Sequence, residues 1–246
     1  MAELTRIYVK FHSEAEKDPS LEDEARAEFH KLEEGDEENT RLWSWFREES
    51  LKEFMRVYDR MDVGFDSFNG EAFYSDKMDS VVSELTEKNL LKLSDGAKIV
   101  EFPDMPPAII LKQDGSTIYA TRDLAAAIYR ADTYHFYKNI YVVGIPQSLH
   151  FKQIFAILDK MGKPYAKDCV HVGFGTVKFA SGAMSTRTGN VVLLETVISE
   201  AVKKTAEIMK ANGNEGDLSD TAEKIGIGAI FYTFLKNSRE KDIIFD

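Results

Sequence analysis

The chain has 246 residues, 43% hydrophobic and 30% charged, enough for one large core or two small ones. Its single cysteine, Cys169, excludes an internal disulfide and a cysteine-based zinc centre, and no metal site within the chain is expected. The net charge is −11, yet twelve acidic residues against three basic ones lie between Glu14 and Glu38, a local −9 that leaves the rest near −2. The acidity therefore excludes nucleic acid as a partner only for that segment. The opening Met1-Ala2-Glu3-Leu4-Thr5 is not a signal peptide, and no apolar run is long enough to cross a bilayer. A reducing cytoplasm and no membrane partner are expected.

Within the acidic segment Leu21, Ala25, Phe29 and Leu32 recur at helical spacing, and Gly35 ends the run. This predicts a solvated helix with one apolar stripe. A second helix is predicted to open at Asn39-Thr40, both good N-caps, and to be deeply packed through Leu42, Trp45, Phe46, Phe54, Met55, Tyr58 and Met61. Asp62 to Phe68 alternates polar and apolar residues, as a strand with one covered face does, and Asn69-Gly70 turns the chain.

A small unit follows. Met78, Val81, Val82 and Leu85 predict a short amphipathic helix, Leu91 to Val100 a hairpin turning at Asp95-Gly96, and Ile109 to Ala120 another turning at Asp114-Gly115. Pro103, Pro106 and Pro107 separate the two hairpins, so the unit reads as an insertion in a larger domain.

After Ala120 strands and helices alternate. Thr121 is expected to cap a helix through Leu124 and Tyr129, and Ile140 to Val143 reads as a parallel strand buried on both faces, ended by Gly144. A helix through Phe151, Ile154, Phe155, Leu158 and Met161 closes at Gly162, and Cys169 to Phe174 forms the next strand. Two helices finish the chain, one through Leu194, Val197, Ile198, Ala201 and Val202, the other from Ala222 to Leu235. Repeated βα units imply a doubly wound parallel sheet, whose ligands sit at the carboxyl ends of the strands.

Polar residues gather at those ends. Gln147, His150 and Gln153, spaced by three, share one side of the first helical turns. Each has a plain reading alone: His150 as a satisfied surface or core residue, Asp123 as an acid favouring a helix dipole, Tyr119 as a cross-strand aromatic. Gly182-Ala183-Met184-Ser185-Thr186-Arg187-Thr188-Gly189-Asn190 has glycines at both ends, small hydroxyls and a guanidinium between them. Such a loop suits closure over a polyphosphate, although composition alone fits an ordinary surface loop better.

Together, Tyr119-Ala120-Thr121-Arg122-Asp123-Leu124-Ala125, then Val142-Val143-Gly144 with Gln147, Leu149-His150-Phe151 and Gln153, then Met184-Ser185-Thr186-Arg187 with Gly189 resemble the catalytic domain of arginyl-tRNA synthetase. In that class I family the last motif is the local form of the Lys-Met-Ser-Lys-Ser loop, and Asp62 to Glu71 resembles the segment before the second insertion. The resemblance implies a Rossmann-like parallel sheet flanked by helices, with a small α+β insertion and helical ends. It implies an acidic helical segment at 1–40, a catalytic domain at 41–73 and 116–190, the insertion at 74–115, and a helical segment at 191–246 leading to an anticodon-binding domain.

The implied activity joins arginine to ATP, with Mg²⁺, and passes the arginyl group to tRNA(Arg); a monomer is expected. By resemblance Glu71 and Asp123 would grip the substrate guanidinium, with Tyr119 and Gln147 completing the pocket. ATP would lie over His150, Gln153 and the Gly173-Phe174-Gly175 strand end, with Met184, Ser185, Thr186 and Arg187 closing on it. Carboxylates bind a planar guanidinium bidentately, which lysine cannot imitate. Two acids facing each other without a ligand would repel, so the empty pocket is expected to welcome a cation.

Two departures stand out. Ala183 and Thr188 occupy positions where the family carries lysine, and Lys178 is a candidate replacement. None of His12, His30, His135, His150 and His171 belongs to a His-x-Gly-His motif. The expectation is an internal piece of a synthetase, inactive alone, the alternative being a non-catalytic nucleotide-binding α/β module.

Overall fold

The computed structural model describes residues 2–179 and 193–245. The chain divides into two compact units, one of Met1–Asp66, Lys178–Asn237 and Ile244–Asp246, the other of Ser67–Val177 and Ser238–Ile243.

The first unit opens with helices α1 (Ala2–Ala15), α2 (Ser20–Glu33) and α3 (Glu37–Arg60). The expected acidic helix is α2, and Gly35 beyond its end takes a φ of 83°, a conformation glycine adopts freely. Asp36, rather than Asn39 or Thr40, caps α3, its carboxylate accepting from the Asn39 backbone N–H. The expectation of a deeply packed α3 is not met. No residue of α3 is buried: Trp45 is 52% exposed and Phe46 40%, while Leu42, Met55 and Tyr58 are half-buried. A 3.6-residue period tells which side chains share a stripe, not what covers them. The strand predicted at 62–68 is also absent; the backbone there is irregular, and Asp62 takes a φ of 54°. Alternation alone makes no strand without a neighbour to accept its hydrogen bonds.

The second unit begins with a 3₁₀ stretch, Glu71–Lys77, that sequence periodicity did not signal, and runs on into the expected helix α4 (Met78–Glu87). Strands β1 (Lys92–Ser94) and β2 (Ala97–Val100) form the first hairpin, with Asp95 and Gly96 both at positive φ, 48° and 81°. That is the two-residue turn whose twist matches paired strands. The second hairpin is short: its Asp114-Gly115 turn forms, with Gly115 at a φ of 82° and the Lys112 N–H donating to the Ser116 carbonyl at 2.9 Å. Strand β3 (Ala108–Leu111) pairs antiparallel with β2, and only a Leu111–Thr117 bridge follows, because helix α5 (Tyr119–Tyr134) already starts at Tyr119. Tyr119 is therefore helical and exposed, not a cross-strand aromatic.

Thr121 does not cap α5. It lies within the first turn, fully buried, and its hydroxyl donates to the Ile110 carbonyl at 2.6 Å, tying α5 to β3. Small buried side chains, Ala120, Ala125, Ala126 and Ala127, let neighbours approach α5 closely. Strand β4 (Asn139–Gly144) pairs in parallel with β5 (Cys169–Phe174), and α6 (Ser148–Lys160) connects them. The expectation that β4 is buried on both faces is corrected: Tyr141 is 7% exposed but Val142 65%. Tyr141 packs on Phe151 of α6, 4.9 Å between ring centres, and Asn139 donates to its hydroxyl at 2.8 Å. One core runs through the whole unit, from Tyr74, Val81 and Leu85 through Ile110 and Leu124 to Ile154 and Leu158.

Burial pushes the Cys169 thiol from 9.0 up to about 11. The group is protonated in both folded and unfolded chains below pH 9.0, so its contribution to stability is intact there and is lost as pH rises toward about 11. Iodoacetamide at pH 8 should therefore modify Cys169 only after unfolding; rapid labelling of the folded chain would contradict its burial.

Strands β6 (Val177–Phe179) and β7 (Ile243–Phe245) are three residues each. In the first unit α7 (Leu194–Ala211) and α8 (Ser219–Leu235) pack together at Gly226. A Cβ there would lie 2.8 Å from Val202 Cα, closer than van der Waals contact permits. Arg60 of α3 binds Glu223 of α8 through two nitrogens, at 2.5 and 3.0 Å, and Arg56 pairs with Glu195 of α7. Gly226→Val should force α7 and α8 apart and cost about 1–3 kcal/mol in urea unfolding. An unchanged midpoint would show that the two helices do not meet at that position.

Candidate functional site

The site builds up where β4 and β5 end side by side, Gly144 opposite Phe174. Gly144 ends β4, a 3₁₀ turn Ile145–Gln147 redirects the chain, and α6 starts at Ser148. This places Gln147, His150 and Gln153 in succession just beyond the strand. The first two turns of α5 bring Tyr119, Arg122 and Asp123 to the same region, because Asp123 and His150 meet: His150 Nε2 lies 2.6 Å from Asp123 Oδ2. Both are partly buried, 23% and 37% exposed. Asp123 lies one position past the first turn of α5, which holds no acid, so its partner is the imidazole and not the helix terminus.

Glu71 stands at the start of the 3₁₀ stretch, 68% exposed, and accepts from Arg122 Nη1 at 2.8 Å. Arg122 precedes Asp123, so the two acids, fifty-two residues apart in sequence, are held by neighbouring points of one local network. Each of the two carboxylates has a basic partner from the chain, Arg122 for Glu71 and His150 for Asp123. Among the described residues, Arg122 Nε is buried without an acceptor, a cost of about 1–3 kcal/mol for a donor removed from water.

The other predicted residues divide. Tyr119 is 68% exposed and Gln147 is exposed. Gln153 turns its amide to the loop before β3, donating to the Pro106 carbonyl at 2.8 Å and to Pro107 at 3.3 Å. Gly173 donates no side chain but lends its carbonyl to Arg239 Nε at 2.8 Å, Phe174 is 39% exposed, and the Gly175 N–H donates to the Arg239 carbonyl at 2.9 Å. Met184, Ser185, Thr186 and Arg187, with Ala183 and Thr188, lie outside the described residues.

Sequence reasoning assigned no role to Arg122 or Arg239. Arg122 was within reach of it, because it stands directly before Asp123 in the Tyr119 to Ala125 motif. Arg239 carried no local signal; it belongs to the charged run Ser238-Arg239-Glu240-Lys241-Asp242 after α8, and only the fold returns that run to β5.

An α/β unit in which parallel strands end beside acids, amides and an imidazole has the arrangement of the doubly wound class, whose ligands bind at that end of the sheet. The comparisons narrow that class. A family model described as tRNA synthetases class I (R), catalytic domain, matches residues 1–246, and the chain belongs to that family. An arginine–tRNA ligase from Clostridium beijerinckii is 62% identical over 247 residues, covering 99% of this chain and 44% of the relative. One from Clostridium botulinum is 58% identical over 249 residues, covering 100% of this chain and again 44% of the relative. The chain thus spans under half the length of these curated relatives. Arginyl-tRNA synthetase from Plasmodium falciparum superposes with a TM-score of 0.78 at 26% identity, over 93% of this chain and 39% of the other. That from Thermus thermophilus gives 0.76 at 21% identity, over 98% and 46%, and shares the fold.

Proposed function

We propose that this chain carries the arginine pocket and part of the ATP site of an arginine–tRNA ligase. The observation that carries the reading is the network Glu71–Arg122 beside Asp123–His150, at the strand end where an α/β sheet binds ligands. Relatives named arginine–tRNA ligase at 62% identity support it. In this reading the Asp123 oxygen not taken by His150, and one oxygen of Glu71, accept hydrogen bonds from the substrate guanidinium, with Tyr119 and Gln147 at the pocket's exposed side. A charged hydrogen bond of this kind contributes about 1.5–3 kcal/mol.

Activation needs no general base. The arginine carboxylate, already ionised, forms a bond to the α-phosphorus of ATP, the bond from that phosphorus to the bridging oxygen breaks, and pyrophosphate leaves with the electron pair. In the transfer step a terminal ribose hydroxyl oxygen of tRNA(Arg) bonds to the arginyl carbonyl carbon, the bond from that carbon to the adenylate oxygen breaks, AMP leaves with the electron pair, and the hydroxyl proton is lost to water. The residues' work is positioning and electrostatic stabilisation. ATP is placed against His150 and the Gly173-Phe174-Gly175 strand end, and Met184, Ser185, Thr186 and Arg187 are assigned to its phosphates by sequence alone. Mg²⁺ is the expected companion of the nucleotide; among the described residues no cluster of three or more His, Cys, Asp or Glu groups could hold it, so no side chain is assigned to it. A cytoplasmic monomer remains the proposed state, and no helix among the described residues is long and apolar enough to cross a membrane.

A second reading, a nucleotide-binding module without catalysis, is favoured by Ala183 and Thr188, which leave the loop with Arg187 as its cation. Calorimetric titration of the 246-residue chain separates the readings. The ligase reading requires arginine to bind at least about tenfold more tightly than lysine, the worth of one charged hydrogen bond. Equal affinities would remove the arginine pocket and leave the module.

A further inference from the structure

The second unit is completed by a segment from far along the chain. Ser238–Ile243 belongs to it and crosses the carboxyl end of β5. The Gly175 N–H donates to the Arg239 carbonyl and the Ile243 N–H to the Thr176 carbonyl, each at 2.9 Å. The Asp242 carboxylate accepts from the Thr176 backbone N–H at 2.8 Å and from its hydroxyl at 2.9 Å. Glycine at 175 makes this approach feasible, because a Cβ there would run into the Lys241 carbonyl. The segment is a strap bound at four points over one strand end.

The strap delivers a cation. Arg239 Nε donates to the Gly173 carbonyl at 2.8 Å, and its Nη2 lies 3.2 Å from Glu240. The carbonyl carries no compensating charge, and the pair with Glu240 is exposed, 54% and 67%, where ion pairs contribute little. A guanidinium held through Nε and, at the surface, through Nη2 keeps Nη1 and the second hydrogen of Nη2 as an end-on fork at the place where parallel sheets bind ligands. Such a fork matches the oxygens of a phosphate.

We propose that Arg239 contacts the phosphates of the nucleotide bound at the carboxyl end of β5, and that the Asp242–Thr176 bonds set its position. The inference rests on the nucleotide reading of that strand end given above. It supplies positive charge from outside the Met184 loop, in which Ala183 and Thr188 are neutral.

The test is calorimetric titration of the chain with ATP and with adenosine, which lacks the phosphates. Arg239→Gln retains an amide that can donate to the Gly173 carbonyl and removes the charge. It should weaken ATP binding about tenfold or more while leaving adenosine unchanged, and the wild-type advantage should shrink as salt rises. ATP affinity within about twofold of wild type overturns the assignment. So does an equal loss for ATP and adenosine, which marks the strap as structural only. A wild-type chain that binds neither ligand sinks the nucleotide reading itself and this assignment with it.

Discussion

Replacing Asp123 with alanine should abolish the preference for arginine over lysine. In the folded chain Asp123 is partly buried and its Oδ2 lies 2.6 Å from His150 Nε2; in the proposed pocket the other oxygen meets the substrate. A guanidinium can engage such a carboxylate through its planar fork, whereas an ammonium is a point charge that finds other acceptors as readily. Losing the carboxylate removes a charge-assisted bond of about 1.5–3 kcal/mol, an arginine affinity lower by about one to two factors of ten. Lysine binding should change far less. Asp123→Asn, which keeps the shape and drops the charge, should behave like alanine if charge is the cause. Competitive titration of both amino acids reads the ratio directly. An Asp123→Ala chain that still prefers arginine by the wild-type factor would place the pocket elsewhere.

The second large effect is on stability. Leu124→Ala should destabilise the second unit by about 2–5 kcal/mol, because its side chain is completely buried and its removal leaves a cavity. The site makes this more than a packing statement: Leu124 follows Asp123 on α5, so the core directly beneath the network is what anchors it. The core is also continuous, joining Val81 and Leu85 of α4 to Ile154 and Leu158 of α6 through α5. Hydrogen exchange should therefore show protection falling in α4, α5 and α6 together. Loss confined to α5 would mean that the 74–115 segment and the βα units are separate cores.

Much of the second unit was legible in the sequence, for local reasons. The Asp95-Gly96 hairpin followed from two residues that tolerate positive φ, and α6 from apolar spacing closed by Gly162. The parallel pairing of β4 with β5 followed from strand–helix–strand order. Misreadings share a different cause. Trp45 and Phe46 on α3, and Ile140 and Val142 on β4, have the spacing of covered faces, but cover comes from other elements and a local pattern cannot report it. Thr121 looked like a cap because Ser and Thr favour caps; the nearby Ile110 carbonyl offered its hydroxyl a buried partner instead.

The candidate site divides along the same line. Sequence by itself determined which groups are present and in what order: acids at 71 and 123, an imidazole at 150, glycines at 173 and 175, each close to the end of a regular element. Only the tertiary structure decided what those groups touch. It gave Glu71 an arginine and Asp123 a histidine, turned Gln153 to the Pro106 carbonyl, and brought Arg239 back over β5 from sixty-six residues away. The reason is that composition and periodicity act over one or two turns of chain, whereas a charge's partner is chosen by whichever elements pack beside it.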